Sequence, residues 1–90
     1  MEVVMSDIKK VIGNNLRYIR YQSGLSQEKF YDKYHLSVKY LSSIERGEIN
    51  IGVELLEQLA NTFHITPAEL VTYYPDRVIS KKRIDQKRSH

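Results

Sequence analysis

Signals for the start of a helix recur at short intervals along this chain, and they constrain its fold more than any other feature. Ser26 and Ser37 are favourable N-caps, and each precedes apolar residues at helical spacing. The Thr-Pro-Ala-Glu segment at 66–69 combines an N-cap, a proline at the first helical position and a glutamate three residues after the cap. No segment has the alternating pattern of a strand. The sequence therefore predicts an all-α domain.

Five helices follow from these caps and from the apolar periodicity. The first helix runs from Ser6 to Ser23, and the second from Ser26 to His35. The third runs from Ser37 to Gly47, the fourth from Gly52 to Thr62, and the fifth from Thr66 to residue 73. We expect a compact five-helix domain over residues 1–75, followed by a basic C-terminal tail over residues 76–90.

The positive charge of the chain is concentrated in that tail. The net charge is +3, but residues 1–76 hold 8 basic and 10 acidic side chains, so their net charge is −2. Residues 77–90 hold six basic side chains and one acidic one. Such a run is compatible with a phosphate-binding arm and equally with a solvated chain terminus, so the total charge is weak evidence for a nucleic-acid partner.

Several classes of function are disfavoured by the composition. The chain has no cysteine, and its first residues lack the apolar run of a signal peptide, so a cytoplasmic protein is expected. No apolar segment is long enough to cross a membrane. His35, His64 and His90 are far apart in sequence and form no pattern of metal ligands. We expect no metal, cofactor, small-molecule ligand or enzymatic activity.

The second and third helices are short and are joined by a tight turn, which suits a helix-turn-helix whose second helix enters the DNA major groove. On a helical wheel of the third helix, Leu41 and Ile44 share one face, while Lys39, Ser43 and Arg46 lie opposite. An ordinary solvated helix has the same pattern, so spacing alone does not prove DNA binding.

Glu45 is the exception on that wheel, because it falls beside Leu41 on the side expected to be buried. An unpaired buried carboxylate is costly. Arg20, one turn after Leu16 on the inward side of the first helix, is the predicted partner. We expect a structural ion pair between the first and third helices.

Residues 12–71 resemble the phage-repressor type of helix-turn-helix, the Xre or Cro/C1 family, whose fold is called lambda-repressor-like. The resemblance rests on Ser-Gln-Glu at 26–28, Leu-Ser at 36–37, Tyr-Leu-Ser-Ser-Ile-Glu-Arg-Gly at 40–47 and Ile-Thr-Pro-Ala-Glu-Leu at 65–70. Small controller proteins of restriction-modification systems, within this family, have a similar length and a tyrosine like Tyr40. The resemblance implies a transcriptional regulator that binds double-stranded DNA, and it also implies the Arg20–Glu45 pair.

The resemblance also implies roles for individual residues. The residues implied to contact base edges are Val38, Lys39, Tyr40 and Ser43. The residues implied to contact phosphates are Gln27, Ser37, Ser42, Arg46 and Asn50. The resemblance also implies that Gln27 braces the third helix.

Three residues depart from the family pattern. Tyr31 replaces the usual alanine, and His35 replaces a turn glycine and would need a positive φ. Glu48 places a carboxylate in a loop expected to lie near phosphates. The fold is expected to survive these changes, which bear instead on the depth and angle of the third helix.

A module of this size contacts few base pairs, so we expect a homodimer on a palindromic or pseudo-palindromic operator. The predicted dimer interface is an exposed apolar patch near the end of the domain, made of Leu70, Val71, Tyr73 and Tyr74, with Val78 and Ile79 as further candidates. The alternative is an antitoxin or adaptor that uses the same fold mainly to bind a protein partner.

Overall fold

A computed structural model describes residues 8–79 and shows an all-helical fold within that range. The α-helices are α1 (Ile8–Ser23), α2 (Gln27–Lys33), α3 (Val38–Glu45), α4 (Val53–Thr62) and α5 (Pro67–Val71), and a 3₁₀ helix covers Pro75–Arg77. The prediction of an all-α fold with five helices is confirmed. Ser6 and residues 80–90 of the predicted tail lie outside the described residues.

Three helices begin where a hydroxyl side chain satisfies a free backbone amide. Ser26 and Ser37 each accept the N–H of the residue three positions later, at 3.2 Å. At the start of α5, Thr66 Oγ1 accepts the Glu69 N–H at 3.2 Å, while Glu69 Oε1 accepts the Thr66 N–H at 3.0 Å. This reciprocal capping box is the one predicted from the sequence. Local chemistry therefore fixes where α2, α3 and α5 start.

Two helix ends have the same unusual backbone. His35 and His64 both have a φ of 59°. At each site, the residue after the histidine donates its N–H to a carbonyl five residues earlier, at 2.9 Å. These bonds close the C-termini of α2 and α4 in the manner that glycine usually allows. The chain thus reverses direction twice with a histidine in the left-handed region.

The hydrophobic core lies where the five helices meet. Its fully buried large side chains come from every α-helix and are Leu16, Tyr31, Ile44, Leu59 and Leu70. The Phe30 and Phe63 rings stack in the core with their centroids 5.4 Å apart. Because all five α-helices contribute to one core, the packing of the whole domain fixes the orientation of α3.

Gly13 lets α1 and α3 approach each other closely. A Cβ at this position would lie 2.4 Å from the Ile44 carbonyl oxygen and 2.6 Å from that of Glu45. Backbone atoms have little room to retreat, so any side chain at residue 13 would push α3 away. The close approach places α1 directly behind α3.

Asn15 determines where α5 ends. Its buried side-chain amide donates to the carbonyls of Glu69, Leu70 and Thr72 at 2.8–3.1 Å. These carbonyls would otherwise be left without partners at the end of the helix. The α5 helix therefore ends at Val71, two residues before the predicted end.

The segment after α5 packs back on α1 through Asn14. Its side-chain amide donates to the Arg77 carbonyl at 3.0 Å and accepts the Ile79 N–H at 2.9 Å. Ile79 is 5% exposed, so the prediction that it contributes to an exposed patch is wrong. Across residues 8–79, none of the helices has the length and apolar character needed to span a membrane.

Candidate nucleic-acid interface

The α3 helix has a buried face and an exposed face. Leu41, Ile44 and Glu45 are at most 4% exposed and hold the inner side of the helix in the core. Lys39 and Tyr40 lie on the exposed side. With only eight residues, α3 offers two turns of solvent-facing surface to a partner.

The four residues predicted to contact bases all belong to α3, but their exposure differs. Lys39 is exposed, and 38% of Tyr40 is accessible. Ser43 is half-buried, and its Oγ donates to the Lys39 carbonyl at 3.2 Å. Val38 is half-buried and packs against the core. Lys39 and Tyr40 are therefore the two side chains with the greatest freedom to reach a groove.

The residues predicted to contact phosphates surround that exposed face. Ser37 is the N-cap of α3, Ser42 lies in its second turn, and Arg46 is its C-cap. Asn50 is exposed in the following loop. Gly52, the N-cap of α4, makes no side-chain cap bond, so the first amides of α4 have no capping side chain.

A buried cluster around Glu45 connects α3 to α1 and α2. Arg20 donates to both carboxylate oxygens, from Nε to Oε2 at 2.8 Å and from Nη2 to Oε1 at 2.9 Å. Gln27 Nε2 donates to Oε1 at 3.0 Å, and the Tyr31 hydroxyl donates to Oε2. Arg17 adds a donation from Nη2 to the Glu45 carbonyl at 3.0 Å. The structure thus brings the predicted partners Arg20 and Glu45 together in a two-pronged ion pair.

The electrostatics of this cluster favour the ionised carboxylate. Burial by itself would raise the pKa of Glu45, but the hydrogen bonds from Arg20, Tyr31 and Gln27 outweigh it and lower that pKa. Burial and the neighbouring carboxylate raise the pKa of the Tyr31 phenol far above its usual range, so this hydroxyl stays a donor. Each carboxylate oxygen of Glu45 accepts two hydrogen bonds, which is the arrangement that favours the charged form.

Tyr31 has a role in this cluster that the sequence did not reveal, whereas Gln27 is expected to brace α3 and donates to its Glu45. Tyr31 is fully buried, with its ring edge-to-face against Phe30 at a centroid distance of 5.3 Å. Residue spacing could not show that its hydroxyl reaches Glu45, because the contact joins two helices. Gln27, predicted to contact a phosphate, is half-buried and directs one N–H inward. Its second N–H is the one available to a phosphate.

Arg46 and Glu48 form an exposed ion pair at the end of α3. Arg46 Nε lies 2.9 Å from Glu48 Oε2, and both side chains are about half exposed. The two Nη atoms donate to hydroxyls of α3, Nη1 to Ser42 at 2.7 Å and Nη2 to Ser43 at 3.3 Å. Three polar side chains predicted to contact DNA are therefore bonded to one another in this structure.

The predicted dimer residues are divided by the fold. Leu70 is 0% exposed, so the prediction that it lies in an exposed patch is wrong: the side chain fills the core beneath α5. Val71 and Tyr74 are half-buried, and the Tyr74 ring lies 4.1 Å from the Arg77 guanidinium. Tyr73 is 51% exposed and Val78 is 44% exposed. Tyr73 is thus the most accessible of the four predicted interface residues.

Comparisons with known proteins agree with this geometry. The helix-turn-helix family model matches residues 16–70. This range includes the Arg20–Glu45 pair, the turns at His35 and His64, and all of α3. No solved structure matches the chain.

Three individual relatives each match this chain over most of its length and over most of their own length. An uncharacterized HTH-type transcriptional regulator, y4dJ of Sinorhizobium fredii, is 39% identical over 66 residues, covering 73% of this chain and 86% of that protein. Control protein C.MunI of Mycoplasma sp is 40% identical over 67 residues, covering 73% of this chain and 90% of its own length. Control protein C.BamHI of Bacillus amyloliquefaciens is 30% identical over 69 residues, covering 76% and 85%.

Proposed function

This chain belongs to the helix-turn-helix family of DNA-binding transcriptional regulators and is not an enzyme, and on that premise we propose that it binds a pseudo-palindromic operator as a homodimer. Each subunit inserts α3 into the major groove of one half-site. The similarity to two control proteins supports a controller role in a restriction-modification system. Because the proposed ligand is DNA, we place the protein in the cytoplasm.

The observation that carries this proposal is the contrast between the two faces of α3. Its inner side is fixed by buried Leu41, Ile44 and Glu45, while Lys39 and Tyr40 project from the exposed side. Lys39 can donate to guanine acceptors, and the Tyr40 ring can contact a thymine methyl. A rigid helix with free donors on one side is what direct readout of base edges requires. Val38 and Ser43 complete the proposed set of base contacts.

Phosphate contacts from both sides of α3 would fix its register in the groove. The proposed donors are Gln27, Ser37, Ser42, Arg46 and Asn50. Gln27 has a particular place among them, since one of its N–H groups donates to Glu45 and the other is left for a phosphate. A phosphate bound there would be linked through Glu45 to α3 itself.

The dimer would form through the surface at the end of α5 and directly after it. Tyr73, with Val71 and Tyr74 beside it, offers aromatic area of the kind enriched at interfaces. Two subunits joined in this way would place their α3 helices on half-sites about 34 Å apart. Sedimentation tests this step: we expect a dimer that Tyr73→Ser weakens, and a monomer at high concentration would contradict it.

A gel-shift measurement with matched lysine variants tests the function. The probe is a duplex containing the palindromic site of the protein's own promoter, with a scrambled duplex as reference. Lys39→Ala should cost about 1–3 kcal/mol of binding free energy on the palindromic duplex and little on the scrambled one. Lys33→Ala is the control, because Lys33 is an exposed lysine at the end of α2 and lies outside the proposed contacts. If neither duplex binds while a protein partner does, the antitoxin or adaptor function is supported instead.

A further inference from the structure

Arg46 is held at the end of α3 in an arrangement that leaves no open edge for a phosphate. A guanidinium receives a phosphate best through two parallel N–H groups on one edge. Its Nε faces Glu48, its Nη1 faces Ser42 and its Nη2 faces Ser43. Each edge that could bind a phosphate in two-pronged fashion therefore already meets an oxygen of this protein.

Glu48 owes its position to the helix cap and not to chance contact of flexible side chains. Gly47 has a φ of 71° and donates its N–H to the Ile44 carbonyl at 2.9 Å, and Glu48 donates its N–H to the Ser43 carbonyl at 3.1 Å. This pair of bonds is the Schellman motif, which fixes the two residues after a helix end. The backbone of Glu48 is thus tied to α3, and its carboxylate stays within reach of Arg46.

The packing beneath the cap restricts movement of this segment. A Cβ at Gly47 would lie 2.9 Å from Cγ and 3.2 Å from Cα of Lys10 on α1. The cap is therefore pressed against α1 on one side, while the Arg46–Glu48 pair faces solvent on the other. The ionised forms stabilise each other: the hydrogen bond between them lowers the pKa of Glu48 and raises that of Arg46.

We propose that Glu48 is an intramolecular competitor for DNA phosphate at Arg46 and so limits the sequence-independent affinity of this protein. The inference rests on the proposed DNA-binding function and deepens it. In the DNA-free protein, the Glu48 carboxylate is hydrogen-bonded to the Arg46 guanidinium. On DNA, a phosphate must displace that carboxylate, which then lies close to the negatively charged backbone. Both effects weaken phosphate-driven binding, which supplies most of the affinity for non-specific DNA.

A double-mutant cycle on DNA binding tests this competition. Glu48→Gln should tighten binding to a scrambled duplex by about two- to fivefold, the range expected when an exposed ion pair no longer has to be broken. The slope of log affinity against log salt should become steeper by up to about 0.9, since one more phosphate contact becomes available. In an Arg46→Gln background, Glu48→Gln should tighten binding by clearly less, because only the repulsion between Glu48 and the DNA backbone is then removed, and the salt slope should stay unchanged. The Glu57→Gln variant is the control, because Glu57 is an exposed carboxylate on α4.

Each alternative outcome has a distinct meaning. If Glu48→Gln weakens binding, Glu48 supports Arg46 and the proposal is overturned. If it tightens binding equally in the Arg46→Gln background, simple charge repulsion explains the effect and the competition is again overturned. If the unmodified protein binds no duplex, the proposed function fails together with the competition. If the unmodified protein binds DNA but Glu48→Gln has no effect, only the competition fails. The ¹⁵Nε resonance of Arg46 in DNA-free protein should move in Glu48→Gln and stay fixed in Glu57→Gln; an unmoved resonance would also contradict the pairing.

Discussion

The protein contains two successive helix–turn–helix units, α2–α3 and α4–α5, whose turns are nearly the same. Both turns read aromatic, histidine, aliphatic, hydroxyl, at residues 34–37 and 63–66. Both histidines have a φ of 59°, and both hydroxyls cap the next helix at 3.2 Å. The units differ in the helix that comes after the turn.

After the first turn, α3 keeps Lys39 and Tyr40 exposed and buries a charged cluster at Glu45. After the second turn, α5 uses its carboxylate Glu69 in its own capping box and is held by fully buried Leu70 and by Asn15. A turn of this type therefore builds a fold and does not by itself mark a DNA-binding helix. The side chains that remain free after folding decide which helix can meet DNA.

The largest expected effect comes from removing the charged cluster of the first unit. Glu45→Ala leaves Arg20 without its partner, and we expect the free energy of unfolding to fall by about 3–5 kcal/mol. Chemical denaturation measures this loss. Glu57→Ala, at an exposed position on α4, should change stability by no more than about 0.5 kcal/mol. Equal losses in the two variants would show that the cluster does not hold α3.

The two units should also respond differently to acid. The pKa of Glu45 is lowered from its ordinary value of 4.5 by folding, so the folded state binds the proton more weakly than the unfolded state. The resulting stability is present above pH 4.5 and is lost as the pH falls through the lowered pKa. Leu70→Ala, which should cost about 2–5 kcal/mol at neutral pH, should keep this acid dependence. Glu45→Ala should lack the Glu45 contribution, and an unchanged acid profile in that variant would contradict the assignment.

Much of this architecture was accessible from the sequence, because caps and apolar periodicity act locally. Ser26, Ser37 and the capping box at Thr66 fixed the helix starts, and the helical wheel identified Glu45 and its partner Arg20. Leu70 was misplaced because an apolar residue near the end of a domain can fill the core or lie on the surface, and spacing does not distinguish the two.

The features that sequence analysis missed depend on contacts between helices. Tyr31 reaches Glu45 only because α2 and α3 cross at the right distance, and Asn15 meets carbonyls more than fifty residues away. Gly13, an isolated glycine within a helical pattern, was a signal of close backbone approach. The geometry of Arg46 and Glu48 depends on the Schellman cap at Gly47. The sequence predicts that the helix stops at this glycine, but it does not show that the cap brings the two side chains together.

Tyr31 gives a smaller and more selective test of the first unit. Tyr31→Phe keeps the buried ring but removes one donor to Glu45, and we expect a loss of about 1–3 kcal/mol of unfolding free energy. Because Arg20 and Gln27 still hold the carboxylate, the fold should persist. Tyr34→Phe is the matched control, since its half-buried ring packs on Phe63 with a centroid distance of 5.0 Å. Tyr34→Phe should be nearly neutral, and an equal loss there would remove the special role of the Tyr31 hydroxyl.

The smallest effects should come from the two turns and should be equal. His35→Gly and His64→Gly each relieve the strain of a left-handed residue, at the cost of a more flexible unfolded chain. We expect each substitution to raise the free energy of unfolding by about 0.5–1 kcal/mol, and neither to alter DNA affinity. Thermal unfolding and gel shift measure the two quantities. A gain at one turn with a loss at the other would show that the turns are not equivalent.

The most direct test of the central claim is an NMR footprint of the protein on a duplex carrying the palindromic site. Backbone amide shifts and line broadening would be recorded for both units as DNA is added. If α3 enters the groove, the largest changes will fall on residues 38–46 and on Gln27, while residues 67–71 stay nearly unchanged. Strong changes confined to α5 and the segment after it, with α3 unaffected, would contradict the account.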